Sequence, residues 1–414
     1  MKRKIAAGLV FAMLMSLTSC KMNPFTETTQ SNASMEEIGD TEAIEKTPLK
    51  NGITTAYYPV GDAFSETPTR LLYVQMGKLL YYNKLTAETD VFCFDPLCKH
   101  SGPDECIAHK FMMADSGIQS IEYCEYDNRF YALRGAQFCS FAFDGSDLRV
   151  EHSFGEEGKF GSNRHGVYMF GDLIHLSIHG QYIYFYARDN ESGKHALIRF
   201  DAQTKEIHRI FYDAETNLGG YLISEDTLYV SMAGAYSGLY RANLDGSRLE
   251  KISDNIYADF STGIFDGEKN YMPESDGEHQ KIVAFSPARN TFEDILLIED
   301  DARRRLLAVT DQYIFFTKND PISVGFYESH LGKDEIFNYT SKIYRFDKES
   351  GEIVTVLDDI RCSARMLYFI EDTVIILGSV YVPDETNAFS NGGGFIAKLD
   401  ENGMFTELTQ LSDG

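Results

Sequence analysis

The sequence predicts an all-β protein folded as a β-propeller, with seven blades as the preferred number. Three observations support this prediction. A weak unit recurs along the chain, in which an apolar strand precedes a second strand that ends in an Asp-containing turn. Many of the apolar strands carry aromatic and β-branched residues at consecutive positions. Helical periodicity is almost absent beyond the N-terminus.

The recurring unit has seven copies, each with an anchor residue at the turn that follows the second strand. Asp at this place favours the turn that returns the chain antiparallel. The anchors are Asn83, Asp144, Asp201, Asp245, Pro287, Asp347 and Asp400, separated by 42 to 61 residues. The shorter separations match four-stranded blades and the longer ones predict loop insertions. One blade commonly combines strands from both chain ends, so six or eight blades also fit; two packed β domains are the alternative.

The apolar strands upstream of the anchors predict sheets that are covered on both sides. Residues 71–74, 182–186, 313–316 and 374–377 are apolar without alternation. A half-exposed antiparallel strand would alternate between apolar and polar residues. Blades that stack face to face around an axis explain the difference. The chain contains no Trp, so WD-type repeats and the Trp signatures of quinone-binding propellers are unsupported.

The N-terminus predicts export and lipid attachment. Three basic residues at positions 2–4 precede an apolar run over 5–17, which is too short to span a bilayer as a stable helix. The run ends at Leu17, and the segment Leu17-Thr18-Ser19-Cys20 resembles the lipobox of bacterial lipoproteins. That resemblance implies removal of residues 1–19 and acylation of Cys20, which would hold the chain in membrane lipid on the outer face of the cell membrane. An ordinary secretory signal with an incidental cysteine is the alternative.

The chain after the leader divides into a tether and a folded domain. Residues 20–51 are rich in Thr, Ser, Glu and Asn with few aromatics, which predicts a disordered linker. A flexible chain of this length has an end-to-end distance of about 30 Å. Residues 52–414 are assigned to the propeller. The formal net charge of −25 argues against nucleic acid or anionic lipid surfaces as partners, and it is typical of a soluble acidic domain.

Four candidate metal ligands lie close together in the sequence after the first repeat. They are Cys93, Cys98, His100 and Cys106. Sulfur and nitrogen ligands of this composition suit a structural zinc ion, although the spacing matches no familiar zinc module. Exported proteins ordinarily pair their cysteines, so one structural disulfide with a spare thiol is the favoured alternative to zinc, and a cluster that does neither is a third.

The other three cysteines are predicted to be buried core thiols. The strands that carry Cys124 and Cys139 have another strand between them, which would separate the two residues by about 9.6 Å. That separation exceeds the roughly 7 Å reach of a disulfide. Cys362 is assigned to the core in the same way.

The cluster also carries a resemblance. Cys93, Pro96, Leu97, Cys98 and His100, with a later cysteine, are similar to a pattern in uncharacterised propeller-like lipoproteins of Gram-positive anaerobes. Those proteins combine a lipobox leader, a polar tether, irregular β repeats and this cluster. The resemblance implies an address and a fold and supplies no mechanism.

The long insertion over residues 317–341 is a candidate recognition surface. It contains Phe326, Tyr327, His330, Phe337 and Tyr339 among polar residues. Loops on a rigid scaffold often carry binding residues, so a protein, peptide or glycan is the expected ligand, and a passive insertion is the alternative. The sequence lacks nucleophile-elbow, phosphate-loop and zinc-protease motifs. We therefore predict a non-enzymatic binding module; the alternatives are an extracytoplasmic hydrolase or lyase acting on glycans or peptides, and a structural component of an envelope complex.

Overall fold

The protein is an all-β, seven-bladed propeller, as the repeat predicted. Residues Lys46–Gly414 form one compact unit. A computed structural model describes residues 56–57, 64–75, 78–93, 95, 97–100, 106, 108, 118–134, 137–154, 176–188, 195–213, 216–234, 236–254, 260–275, 280–298, 304–318, 341–360, 362–380, 393–400 and 402–411. Within these ranges, no helix has the length and apolar character needed to cross a membrane.

Each blade is a sheet of four consecutive antiparallel strands, numbered β1–β29 along the chain. The first strand, β1 (Ala56–Tyr57), is a fifth strand on the sheet of blade six. Blades one to three contain β2 (Phe64–Glu66), β3 (Arg70–Gln75), β4 (Lys78–Asn83), β5 (Glu88–Val91); β6 (Ile118–Cys124), β7 (Arg129–Arg134), β8 (Gln137–Ala142), β9 (Arg149–Ser153); β10 (Ser177–His179), β11 (Tyr182–Arg188), β12 (His195–Asp201) and β13 (Ile207–Asp213).

The remaining four blades have the same order. They contain β14 (Thr216–Ser224), β15 (Thr227–Gly234), β16 (Gly238–Asn243), β17 (Glu250–Ser253); β18 (Ile264–Phe265), β19 (Asn270–Ser275), β20 (Gln280–Ser286), β21 (Thr291–Ile298); β22 (Arg304–Thr310), β23 (Tyr313–Lys318), β24 (Ser341–Asp347), β25 (Ile353–Ile360); β26 (Cys362–Ile370), β27 (Thr373–Val380), β28 (Gly393–Leu399) and β29 (Phe405–Gln410). A 3-10 turn, Phe260–Thr262, precedes β18.

Apolar side chains fill the space between neighbouring blades, which explains the strands without alternation. The described residues form six clusters of buried apolar side chains, and each cluster combines residues of neighbouring blades. The cluster between blades two and three, for example, combines Tyr131 and Phe138 of blade two with Phe185 and Phe200 of blade three. Because each blade is buried on both faces, its middle strands need no polar side. The hydrophobic effect therefore stabilises the ring at each interface between blades.

The ring closes by side-chain packing. Blades one and seven are each built from consecutive strands, so neither combines strands from both chain ends. Tyr368 of blade seven donates a short hydrogen bond to the Glu66 carboxylate of blade one. Its ring lies 5.9 Å from that of Phe64, and the Lys84 ammonium lies 5.3 Å above it. One continuous cluster joins blades seven, one and two.

The order of the strands gives the ring two different faces. The turns between the first and second strands, and between the third and fourth strands, lie at what we call the tight-turn face. All fourteen of these connections contain six residues or fewer. The connections between the second and third strands, and between successive blades, begin and end at the opposite, long-connection face. The four connections that exceed ten residues are 92–117, 154–176, 319–340 and 381–392, and all belong to this second face.

The described chain begins and ends at opposite faces. The first strands of neighbouring blades contact one another around the centre of the ring, as β22 contacts β26. β1 is added to the inner edge of β22, with Ala56 opposite Thr310 and Tyr57 opposite Val309. Since Thr310 is at the tight-turn end of β22, the chain enters from the tight-turn face. The last strand ends at the long-connection face, where the Leu411 N–H donates to the Gly394 carbonyl at 3.0 Å.

Candidate metal centre

The cysteine and histidine cluster starts where the outer strand of blade one ends. The Phe92 N–H donates to the Leu79 carbonyl at 2.9 Å, and the Cys93 N–H donates to the Val91 carbonyl at the same distance. The Phe92 side chain is only 1% exposed. Its ring lies 5.8 Å from Phe130, which belongs to blade two. Phe92 thus anchors the first residue of the cluster to the interface between the first two blades.

A short turn returns the chain so that the second cysteine lies beside the first. The Asp95 carboxylate accepts a hydrogen bond from the Leu97 N–H at 2.9 Å, and the Asp95 carbonyl accepts one from the Cys98 N–H at 3.1 Å. His100 has a φ of 51°. Histidine adopts this left-handed conformation more readily than most residues. The His100 N–H also points at the Cys98 sulfur, 3.4 Å away.

The four predicted ligands converge in the structure. One ligand atom from each of Cys93, Cys98, His100 and Cys106 lies within 4.8 Å of all the others. The Nδ1 atom of His100 is 3.3 Å from the sulfur of Cys106. Zinc–sulfur bonds of about 2.3 Å and zinc–nitrogen bonds of about 2.0 Å would place tetrahedral ligand atoms roughly 3.5 to 3.8 Å apart. The cluster can therefore hold a metal such as zinc after small movements of the side chains.

The environment of the cluster is partly apolar. Cys106 is fully buried, while the side chains of Cys93 and Cys98 are half-buried against the core of blades one and two. Burial raises the pKa of the Cys106 thiol to about 12, and the neighbouring Cys98 and Cys93 thiols add to this rise. Four protein ligands leave no open position for a substrate, so the arrangement suits a structural ion better than a catalytic one.

The two predicted core cysteines, Cys124 and Cys139, are free thiols, as are Cys93 and Cys106 of the cluster. Cys124 and Cys139 are both fully buried, and β7 lies between their strands. The prediction that these two do not pair is confirmed. Cys362 is the first residue of β26.

The other predicted site residues lie outside the described residues. Cys20 is one of them. The others belong to the aromatic insertion: Phe326, Tyr327, His330, Phe337 and Tyr339. The described strands on either side of this insertion are β23, which ends at the long-connection face, and β24, which begins there.

One polar site was missed by the sequence reasoning. Glu122 is half-buried in β6, the inner strand of blade two. Burial raises the pKa of its carboxyl to about 8, and the Glu66 carboxylate adds to the effect. Further round the ring, the Ser177 hydroxyl donates to the Tyr221 hydroxyl at 2.9 Å, which donates to the Tyr184 carbonyl at 2.8 Å. The sequence feature that could have indicated this site is the position of Glu122 between Ile121 and Tyr123 in a strand.

Comparisons with known proteins support the architecture. No protein-family model matches the chain, and no curated protein matches its sequence. An oligogalacturonate lyase in complex with manganese is similar in structure, with a TM-score of 0.53, 10% identity, and coverage of 86% of this chain and 96% of that one. Dipeptidyl peptidase 4 of Porphyromonas gingivalis gives a TM-score of 0.51 at 9% identity, with coverage of 86% of this chain and 60% of that one. At such identities these likenesses show a shared β-propeller fold and nothing about activity.

Proposed function

We propose that the protein is a membrane-anchored, extracytoplasmic binding module that recognises a protein, peptide or glycan through the long-connection face. The observation that supports this proposal is the unequal distribution of connections between the two faces. A rigid ring with its long connections on one side is the common arrangement for recognition on loops. The anchor is the acylated Cys20, proposed from the lipobox-like leader.

The anchor is tested on the full-length chain produced in a bacterium and labelled with a palmitate analogue. The wild-type chain is expected in the membrane fraction with the label attached, and Cys20→Ser is expected to lose both. A wild-type chain that stays unlabelled, or a Cys20→Ser chain that keeps the label, would overturn the anchor. Cys139→Ser is the matched control, because Cys139 is fully buried in blade two and lies outside the leader.

Recognition is tested with two exposed tyrosines that lie at opposite faces. Tyr236 follows β15 at the long-connection face and is 52% exposed; Tyr126 follows β6 at the tight-turn face and is 49% exposed. Peptide and glycan arrays probed with the purified full-length chain provide the binding signal. Tyr236→Ala is expected to weaken that signal and Tyr126→Ala to leave it unchanged. Equal effects, or no array binding, would contradict the proposal.

Enzymatic activity is the second candidate, because a lyase and a peptidase share the fold. The probes are oligogalacturonate with added Mn²⁺ and a set of dipeptide substrates. The binding proposal expects no turnover above that of a heat-denatured sample. Sustained turnover that survives further purification would replace the binding proposal with an enzymatic one.

We also propose that Cys93, Cys98, His100 and Cys106 bind one structural zinc ion. Thiolate and imidazole ligands select zinc over harder ions such as Mn²⁺, which prefer oxygen. A bound ion would tie the connection after blade one to the core through Phe92. Full-length protein purified in detergent under reducing conditions is expected to contain one zinc per chain. Cys98→Ala is expected to lose the zinc, whereas Cys139→Ala keeps it; a zinc-free wild type with a mapped disulfide in the cluster would overturn the proposal.

A further inference from the structure

The three cysteines of the metal cluster differ in how far solvent reaches them. The side chains of Cys93 and Cys98 are half-buried, whereas Cys106 is 0% exposed. The turn between Cys93 and Cys98 lies at the surface, since Leu97 is 87% exposed. A small dissolved oxidant can therefore reach two sulfur atoms of the cluster and is kept from the third. This difference carries an inference that rests on the zinc site proposed above.

The two accessible sulfurs also lie in different environments. The His100 N–H donates to the Cys98 sulfur at 3.4 Å. The Cys93 sulfur faces the Asp95 carbonyl oxygen at 3.9 Å, and no N–H group of the described residues donates to it. A hydrogen bond from an N–H group stabilises a thiolate and makes it less reactive, and an opposed carbonyl oxygen has no such effect. Cys93 is thus the more nucleophilic of the two thiolates.

We propose that the cluster is a redox switch in which a peroxide joins Cys93 to Cys98 and expels the zinc ion. The Cys93 thiolate attacks one oxygen of hydrogen peroxide, which breaks the O–O bond, forms a sulfenic acid and releases hydroxide. The Cys98 thiolate then attacks the Cys93 sulfur and displaces a second hydroxide. Two thiolates lose two electrons to form one disulfide, and the peroxide becomes two hydroxide ions that take protons from the solvent.

The geometry of the cluster suits this pairing. The ligand atoms lie within 4.8 Å of one another. The two sulfurs would therefore approach by no more than about 3 Å to reach an S–S bond of about 2.05 Å. The hydrogen bond from the Cys98 N–H to the Asp95 carbonyl, at 3.1 Å, keeps the two cysteines side by side. Because Phe92 fixes Cys93 to the blade, the movement falls to the exposed turn that carries Cys98.

The disulfide would dismantle the metal site. Zinc would keep only His100 and Cys106, half of the four protein ligands that a structural zinc ion needs. The cluster lies on the chain that follows β5, at the long-connection end of blade one. Oxidation would therefore alter the face proposed for recognition. A dithiol would reduce the bond, restore both thiolates and allow zinc to return.

Zinc release tests the switch on the full-length chain. Zinc-loaded protein in detergent, purified under reducing conditions and then freed of the reductant, receives one equivalent of hydrogen peroxide per chain. A chromophoric chelator reports the free zinc. We expect release of one zinc per chain, and rebinding after treatment with dithiothreitol and added zinc.

Peptide mapping identifies the bond that forms. Cys93 and Cys98 lie in one tryptic peptide, residues 85–99, and Cys106 lies in the next, residues 100–110. A bond between Cys93 and Cys98 leaves the first peptide as a single species that is lighter by two hydrogens. A bond to Cys106 would instead join the two peptides. This measurement needs no substitution, so it decides the pairing even if a cluster variant fails to bind zinc.

Two variants separate the switch from general oxidation. Cys98→His keeps four zinc ligands but removes the second thiolate of the pair. Its zinc should leave at least about tenfold more slowly than that of the wild type, because no accessible thiolate remains to attack a sulfenic acid at Cys93. Cys139→Ser is the matched control, since Cys139 is fully buried outside the cluster, and it should release zinc as the wild type does.

The outcomes distinguish the switch from the zinc site itself. A wild type that keeps its zinc after peroxide, a disulfide that involves Cys106, or equal release from the wild type and Cys98→His would overturn the switch and leave the zinc site standing. Reduced wild-type protein that contains no zinc before treatment would overturn the zinc site and the switch with it.

Discussion

Replacing Phe92 by alanine should destabilise the packing that fixes the cysteine and histidine cluster to blade one. The Phe92 ring is 1% exposed. Its centre lies 6.4 Å from that of Tyr81, 5.8 Å from that of Phe130 and 5.9 Å from that of Phe141. A Cβ atom added to Gly145 would stand 2.9 Å from the Phe92 ring, which shows how closely the pocket fits. Phe92→Ala would therefore leave a cavity that the surrounding backbone can fill only in part.

The expected magnitude follows from this burial. Truncation of a fully buried phenylalanine to alanine costs about 3 to 5 kcal/mol, and each lost aromatic pair accounts for about 0.5 to 1.5 kcal/mol of such effects. With three ring neighbours lost, we expect the free energy of unfolding to fall by about 4 kcal/mol. The zinc affinity should fall as well, because Cys93 follows Phe92 directly and depends on it for position.

Denaturant unfolding of the full-length chain, followed by tyrosine fluorescence, measures the stability change. Leu85→Ala is the control, because Leu85 is 81% exposed in a turn of the same blade; surface changes of this kind usually stay within about 0.5 kcal/mol. A loss below about 1 kcal/mol for Phe92→Ala would refute the reasoning, as would an unchanged zinc affinity.

Three further predictions concern the ring itself. Burial raises the pKa of Glu122 to about 8, so the folded state keeps a proton that the unfolded chain releases near pH 4.5. Wild-type stability should then fall by at most about 1.4 kcal/mol per pH unit between these values, and Glu122→Gln should remove that slope in urea unfolding curves measured across the range. Gly246 and Gly351 have positive φ values of 80° and 75°, but an added Cβ would lie 2.2 Å from the Ile210 side chain at Gly246 and would meet no atom within 4 Å at Gly351. In thermal melting, Gly246→Ala should therefore lose about 1 to 3 kcal/mol more stability than Gly351→Ala, and equal losses of stability would contradict this. The Asp347 carboxylate accepts hydrogen bonds from the Glu349 and Ser350 N–H groups at 2.9 and 2.8 Å, so Asp347→Ala should lower the free energy of unfolding by about 1 kcal/mol at pH 7. Because those bonds lower the pKa of Asp347, the difference in stability between the wild type and Asp347→Ala should disappear as the pH falls through the lowered pKa.

The number of blades could be predicted because the anchor residues have a local physical role. In six blades the anchor side chain accepts backbone hydrogen bonds within the turn between the third and fourth strands. These bonds are donated by Leu85 and Thr86 to Asn83, by Ser146 to Asp144, by Gln203 and Thr204 to Asp201, by Ser247 to Asp245, by Glu349 and Ser350 to Asp347, and by Asn402 and Met404 to Asp400. A turn that is stabilised within a few residues leaves a visible pattern in the sequence.

Ring closure could not be predicted, because it depends on contacts between residues far apart in the chain. Glu66 and Tyr368 are 302 residues apart. The pairing of β1 with blade six involves only two residues, Ala56 and Tyr57, and crosses most of the chain. The amino-acid types of these two residues do not distinguish a strand at the inner edge of a blade from a linker.

The metal cluster was predictable in its composition and not in its geometry. Four candidate ligands, three cysteines and one histidine, are visible within fourteen residues of the sequence. Their convergence depends on the turn around Asp95 and on the position of Phe92 between two blades, and both require the folded structure. The raised pKa of Glu122 was missed for a similar reason, since it arises from burial and from Glu66 on another blade.

X-ray absorption at the zinc edge tests the metal centre most directly. Full-length protein purified under reducing conditions would be measured in frozen solution. We expect three sulfur neighbours at about 2.3 Å and one nitrogen neighbour at about 2.0 to 2.1 Å from zinc. A first shell of oxygen or nitrogen alone, or a sample without zinc whose cluster cysteines form a disulfide, would contradict the proposed site.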